Sequence, residues 1–192
     1  MEVSTHDGRG FVIEPAVSWS AIFAGAAVGL AISVFLTVLA AGFGYDLASY
    51  GIASHGSISA FTPEIGAGAI AIQVISAGLG GYLAGRLRHP WALAHGDEAH
   101  FRDTAHGVIA WALATLAGLV LAAAVLMPYA EQIASLAVAT GRAPVDPVRI
   151  GHIMAQQEFF TATGMILSAF TAAIAARVGG LRTEEMHAKV RA

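Results

Sequence analysis

Hydrophobic and polar positions along this chain fall into long blocks and do not alternate with a short period. Four blocks stay apolar for about 20 residues, the length a helix needs to cross a hydrocarbon core. They cover residues 18–43, 65–83, 107–127 and 159–176. The first contains no Asp, Glu, Lys, Arg or His, and the strongest polar group of the second is Gln73. Thr115 softens the third, and Thr161, Thr163, Ser168 and Thr171 soften the fourth. Continuous Ala-rich runs without period-2 alternation predict helices and exclude the strands of a membrane barrel. The predicted fold class is therefore an all-α integral membrane protein, a bundle of four transmembrane helices.

The polar blocks complete the layout. Residues 1–17 form an N-terminal segment, 18–178 the four-helix domain and 179–192 a C-terminal tail, with connections at 44–64, 84–106 and 128–158. Lys and Arg count heavily in such short flanks, because the side that carries them stays cytoplasmic. Residues 1–17, 84–106 and 179–192, together with Arg177 at the exit of span four, hold eight of the ten, and Arg142 and Arg149 in 128–158 are the other two. Both termini and the 84–106 loop are expected in the cytoplasm, with 44–64 and 128–158 in the periplasm. Trp19, Trp91, Tyr45, Tyr82 and Tyr129 fall near span ends, as interfacial anchors do, and Trp111 is given the same role. Thr62-Pro63-Glu64 and Asp146-Pro147 are helix starts: an N-cap side chain, then Pro at the first helical position. Residues 130–139 are expected to prolong the third helix past Pro128, the place for a kink. The fourth helix is expected to begin several turns outside the bilayer. A helical hairpin then protrudes on the periplasmic side, where a partner can reach it.

Composition agrees with the blocks. The chain has 192 residues, 56% hydrophobic and only 12% charged, with no Cys and a net charge of −3. Its mean hydropathy is +0.67. A soluble domain carries about twice that share of charge. The balance excludes a disordered chain, a disulfide scaffold and a basic nucleic-acid binder. The expected surroundings are a lipid bilayer, with no nucleic-acid partner.

Lipid provides no hydrophobic drive between helices, so close packing needs small residues. Each span carries a stripe of them at spacing four. Gly25 and Gly29 lie on the first, Gly81 and Gly85 on the second, Gly118 on the third and Gly164 on the fourth. These six glycines are the predicted helix-packing positions, either within one bundle or on the face of a homo-oligomer. Span two exits through Gly85-Arg86-Leu87-Arg88, and span four through Ala176-Arg177-Val178-Gly179-Gly180-Leu181-Arg182. The likeness admits two helical hairpins in a parallel repeat, but positive-inside anchoring with composition bias is the favoured explanation, because Arg is expected at that depth anyway. Gly179-Gly180 reads as packing or as a helix C-cap.

Chemistry concentrates in the 84–106 loop, which holds four of the eight His. If 97–106 is helical, His100, Asp103 and His106 recur near one face, with His95 and Glu98 at hand. Imidazole with carboxylate suits a divalent metal, so these five are candidate ligands. The same residues serve a plain surface helix, in which Asp97 and Glu98 favour the helix N-terminus, Glu98 pairs with Arg102, and Asp103 pairs with His100 or His106. No other cofactor is indicated. The spans hold no ionisable group at mid-depth, which argues against ion-coupled transport. No phosphate loop, nucleophile elbow or zinc-protease motif occurs, so the chain is read as non-catalytic.

Three segments carry a resemblance: Val17-Ser18-Trp19-Ser20-Ala21-Ile22-Phe23-Ala24-Gly25-Ala26, Gly80-Gly81-Tyr82-Leu83-Ala84-Gly85-Arg86-Leu87-Arg88, and Asp97-Glu98-Ala99-His100-Phe101-Arg102-Asp103-Thr104-Ala105-His106-Gly107. Over residues 17–125 the chain resembles small multi-span inner-membrane proteins common in alphaproteobacteria and often labelled PhnA-like. The resemblance implies a multi-span inner-membrane protein and directs attention to 97–107. It implies no activity, and nothing here looks like a phosphonate enzyme. The expected function is that of an accessory or assembly subunit of a membrane-protein complex, acting through helix and loop contacts. A facilitator for a small uncharged solute, using Gln73, Thr115, Thr161, Ser168 and Thr171, is one alternative. A metal-binding sensor or enzyme built on the cytoplasmic His segment is the other.

Overall fold

A computed structural model describes residues 17–49, 63–89, 96–139 and 147–191. Four helices account for nearly all of them: α1 Trp19–Ser49, α2 Pro63–Arg86, α3 Gly96–Ala139 and α4 Pro147–Arg191. Each contains a stretch long and apolar enough to cross a membrane: Trp19–Phe43, Glu64–Arg86, Asp97–Val125 and Ala155–His187. No strand occurs among the described residues. Pro63 opens α2 and Pro147 opens α4, where the missing N–H costs nothing. Their proposed caps, Thr62 and Asp146, lie outside the described residues, as do Trp91 and His95.

Two helices run further than the apolar blocks. α3 has 44 residues and α4 has 45, against 31 for α1 and 24 for α2. At 1.5 Å per residue α3 and α4 are each about 66 Å long, twice the depth of a hydrocarbon core. The expected interfacial helix at 97–106 is the first part of α3 itself, and α3 continues through Pro128. α4 continues through the segment expected as a tail. Gly179-Gly180 lies inside it, which corrects the C-cap reading and leaves packing as its role.

Neighbours follow from the close contacts. Gly25 and Gly29 of α1 face Ala84 and Ser76 of α2, so this pair is antiparallel. Gly81 and Gly85 of α2 face Ala172 and Ala176 of α4, so that pair runs parallel. Trp111 of α3 bonds to Ser168 of α4 in antiparallel register. α1 and α3 run parallel, with Ser18 beside His106 and Leu30 beside Gly118. The apolar core is Ile22, Ala26, Ala84 and Ala110, with Val17, Ile109, Leu113 and Ala114 packed around it. It sits toward the end that carries Arg86 and Arg88, called here the arginine end.

Candidate functional site

Two places in the bundle gather polar chemistry. The first is the arginine end. Arg88 follows α2 by two residues, past a bend, and its side chain is fully buried. Burying a guanidinium demands a partner, because an unpaired charge out of water is very costly. Asp103 of α3, 1% exposed, is that partner. Arg88 Nη2 donates to Asp103 Oδ2 at 2.9 Å while Nε faces Oδ1, a two-pronged pairing. Nη2 also reaches Glu184 Oε1 of α4 at 3.0 Å, and Nη1 donates to the His89 carbonyl at 3.1 Å. One arginine thereby ties together α2, α3 and α4. Beside it, the Thr183 hydroxyl lies 2.9 Å from the Arg86 carbonyl and 3.2 Å from the Gly179 carbonyl, and accepts from Arg86 Nη1 at 3.3 Å. A carbonyl left over at the α2 terminus is thus satisfied by a side chain of α4.

Glycine makes this clasp possible. A Cβ on Gly180 would run into the Asp103 carboxylate and stand 2.9 Å from Arg88 Nη2. A Cβ on Gly85 would overlap the Ala176 carbonyl, which is backbone and cannot swing away.

α1 joins the same end through His106. The Ser18 backbone N–H, a spare donor at the start of α1, donates to His106 Nε2 at 2.9 Å. Nε2 therefore carries no proton. The proton sits on Nδ1 and is donated to the Arg102 carbonyl at 2.6 Å.

This geometry places the candidate metal ligands. Asp103 and His106 are both 1% exposed, but Asp103 turns to Arg88 and His106 turns to Ser18. Glu98 pairs with Arg102 Nε at 2.6 Å on the surface, as the i,i+4 spacing predicts. His100 is half-buried on α3. Among the described residues no three His, Cys, Asp or Glu side chains converge as metal ligands would. The expected Asp103–histidine pair gives way to Asp103–Arg88. Local spacing proposed a partner one turn away, and a residue 15 positions back supplied a full charge.

The second place is a crevice of about 510 Å³ opening toward the other end of the bundle. All four helices line it: α1 with Gly29, Ser33 and Thr37, α2 with Gln73 and Ser76, α3 with Trp111, Ala114, Thr115 and Gly118, and α4 with Thr161 and Ser168. Among the described residues that line it, none is ionisable. Four of the five residues named for a polar path, Gln73, Thr115, Thr161 and Ser168, meet here, whereas Thr171 lies outside. Thr115 bonds back to the Trp111 carbonyl and Thr37 to the Ser33 carbonyl, both at 2.8 Å. Among the described residues the hydroxyl of Ser76, 4% exposed, finds no hydrogen-bond partner. Trp111 is half-buried, and its Nε1 donates to Ser168 Oγ at 2.9 Å; this corrects its reading as an interfacial anchor.

The six predicted packing glycines divide between the two places. Gly25, Gly81 and Gly85 bring helix backbones together toward the arginine end, and Gly29 continues that contact against Ser76. Gly164 lies under the Gln73 amide, and a Cβ on Gly118 would meet only Leu30, at 3.4 Å. Sequence reasoning passed over Gly107, which meets the Ala172 backbone, and read Arg88 as a lipid-surface anchor. An Arg five residues beyond the 65–83 span was the available signal, and positive-inside anchoring accounted for it.

The fold and these two sites define a class, the helical multi-pass membrane proteins. Comparison of the chain with protein-family models, with curated proteins and with solved structures returns no match.

Proposed function

We propose that this chain is a non-catalytic accessory or assembly subunit of a bacterial inner-membrane complex, with both termini in the cytoplasm. The observation that carries the reading is the excess length of α3 and α4. Beyond Pro128 α3 has 11 more residues, and α4 has 12 before its apolar block begins at residue 159. Gln132, Ser135, His152, Gln156, Gln157 and Glu158 on these extensions are exposed. A bundle that needed only to cross a bilayer has no use for them, and a polar projection is a surface a partner can grip. The eight-to-two bias of Lys and Arg supports the cytoplasmic placing of the termini. The parallel run of α1 beside α3 and of α2 beside α4 supports reading the chain as two hairpins in a parallel repeat.

Native mass spectrometry of the protein, extracted from its own membrane in mild detergent, tests the subunit reading. The expected result is a heteromeric mass that falls to the bare chain when residues 132–156 are replaced by a short Gly-Ser linker. A bare chain or homo-oligomer from the intact protein overturns it. The crevice favours a second reading, a facilitator for an uncharged solute. Against a path through one bundle stands the packed core of Ile22, Ala84 and Ala110 toward the arginine end. Solute flux into liposomes that disappears in Gln73→Leu would restore the facilitator.

A further inference from the structure

We infer that the crevice binds a neutral membrane lipid whose apolar body carries a ring carbonyl, the chemistry of a prenylated quinone. The inference is independent of the subunit reading. Three observations lead to it. The volume, about 510 Å³, falls in the range of sites that hold a small organic molecule. The lining contains no ionisable side chain, so a charged headgroup would find no counter-charge. The polar groups lie at mid-depth. Gln73 and Ser76 are near the middle of α2, three residues apart and hence near one face.

Depth selects among neutral lipids. A phospholipid keeps its ester and phosphate oxygens at the membrane surface and can offer only hydrocarbon at the level of Gln73. A quinone ring has no charge to hold it at the surface, and its carbonyl oxygens accept hydrogen bonds. The Ser76 hydroxyl and the Gln73 NH2 are donors. Thr37 and Thr115, in the same crevice, spend their hydroxyls on their own helices. Ser76 does not, and an unpaired hydroxyl nine-tenths buried in a membrane protein is a cost that a ligand acceptor would remove. Trp111, in the crevice wall, supplies an aromatic face and a built-in reporter.

The test uses the full chain in nanodiscs with Trp19 and Trp91 replaced by Phe, so that only Trp111 fluoresces. Decylubiquinone is titrated in and its quenching followed. Saturable quenching is expected, with an apparent affinity about tenfold weaker in Gln73→Leu/Ser76→Ala. Gly118→Leu is expected to abolish saturation. Its side chain would enter the crevice from a position with room at the backbone, so the bundle stays intact and its melting confirms this. Quenching that rises linearly with quinone in every variant overturns the proposal. So does equal competition by squalene, an apolar chain without a carbonyl, which would show that the crevice takes hydrocarbon alone.

Discussion

The two ends of this bundle solve the same problem differently. At the arginine end helices touch backbone to backbone across glycine, and a buried Arg88–Asp103 pair locks three of them. Toward the other end all four helices line a crevice. There Val34, Val38, Leu119 and Val125, all crevice-lining, are exposed. The same four helices run through both ends, so the hydrophobicity of a whole span does not explain the difference. In lipid, helices hold where their backbones can approach or where polar groups must pair, and they part where neither condition is met. One end is therefore a joint and the other a receptacle.

The largest expected effect breaks the joint. Asp103→Ala takes the buried carboxylate from Arg88, leaving it the half-exposed Glu184 and the His89 carbonyl, and should cost about 3–5 kcal/mol. Thermal melting in detergent measures it. Arg88→Met with Asp103→Leu should recover most of that loss, because it removes both charges together. If the single variant melts like the parent, the clasp is not what holds this end.

Next comes the glycine contrast. Gly85→Leu must displace the Ala176 backbone and should cost about 1–3 kcal/mol or more, while Gly118→Leu should change stability by less than about 0.5 kcal/mol. Equal losses at the two positions would erase the distinction between joint and receptacle.

Ser168→Ala removes the acceptor of Trp111 Nε1–H and should cost about 1 kcal/mol. A shifted Trp111 emission should accompany it. The smallest effect sharpens the point from outside. Glu98→Gln breaks a surface pair that shares Arg88's end but not its burial, and should cost less than about 0.5 kcal/mol.

The spans were legible because length and missing charge are local properties that lipid enforces. The packing glycines were legible as a set, since spacing four on a helix is also local. Their partners were not. Gly81 and Gly85 could have met any small-residue stripe, and only the side-by-side placing of α2 and α4 decides for Ala172 and Ala176. Arg88 was hidden for a related reason. One sufficient explanation, anchoring at the lipid surface, concealed a second role that depends on Asp103 and Glu184 arriving from two other helices. The crevice residues Gln73, Thr115, Thr161 and Ser168 could be named from polarity alone. Ser76 was missed because its burial against Gly29 depends on where α1 sits, which no local pattern shows.

The unbroken run of α4 through Gly179-Gly180 bears on how the protein is made. Two adjacent glycines cost a helix interior about 1 kcal/mol each relative to alanine, so the segment beyond them gains little helix on its own. Its helix leans on Tyr82 and Arg86 of α2 and on Asp103 of α3, the groups those glycines touch. α4 leaves the ribosome after all of these. Closure at Thr183 and Glu184 thus comes late in biogenesis, once the preceding hairpins are threaded into the bilayer in the right order. A chain mis-threaded at the translocon would leave this stretch unwound and open to the proteases that police membrane insertion.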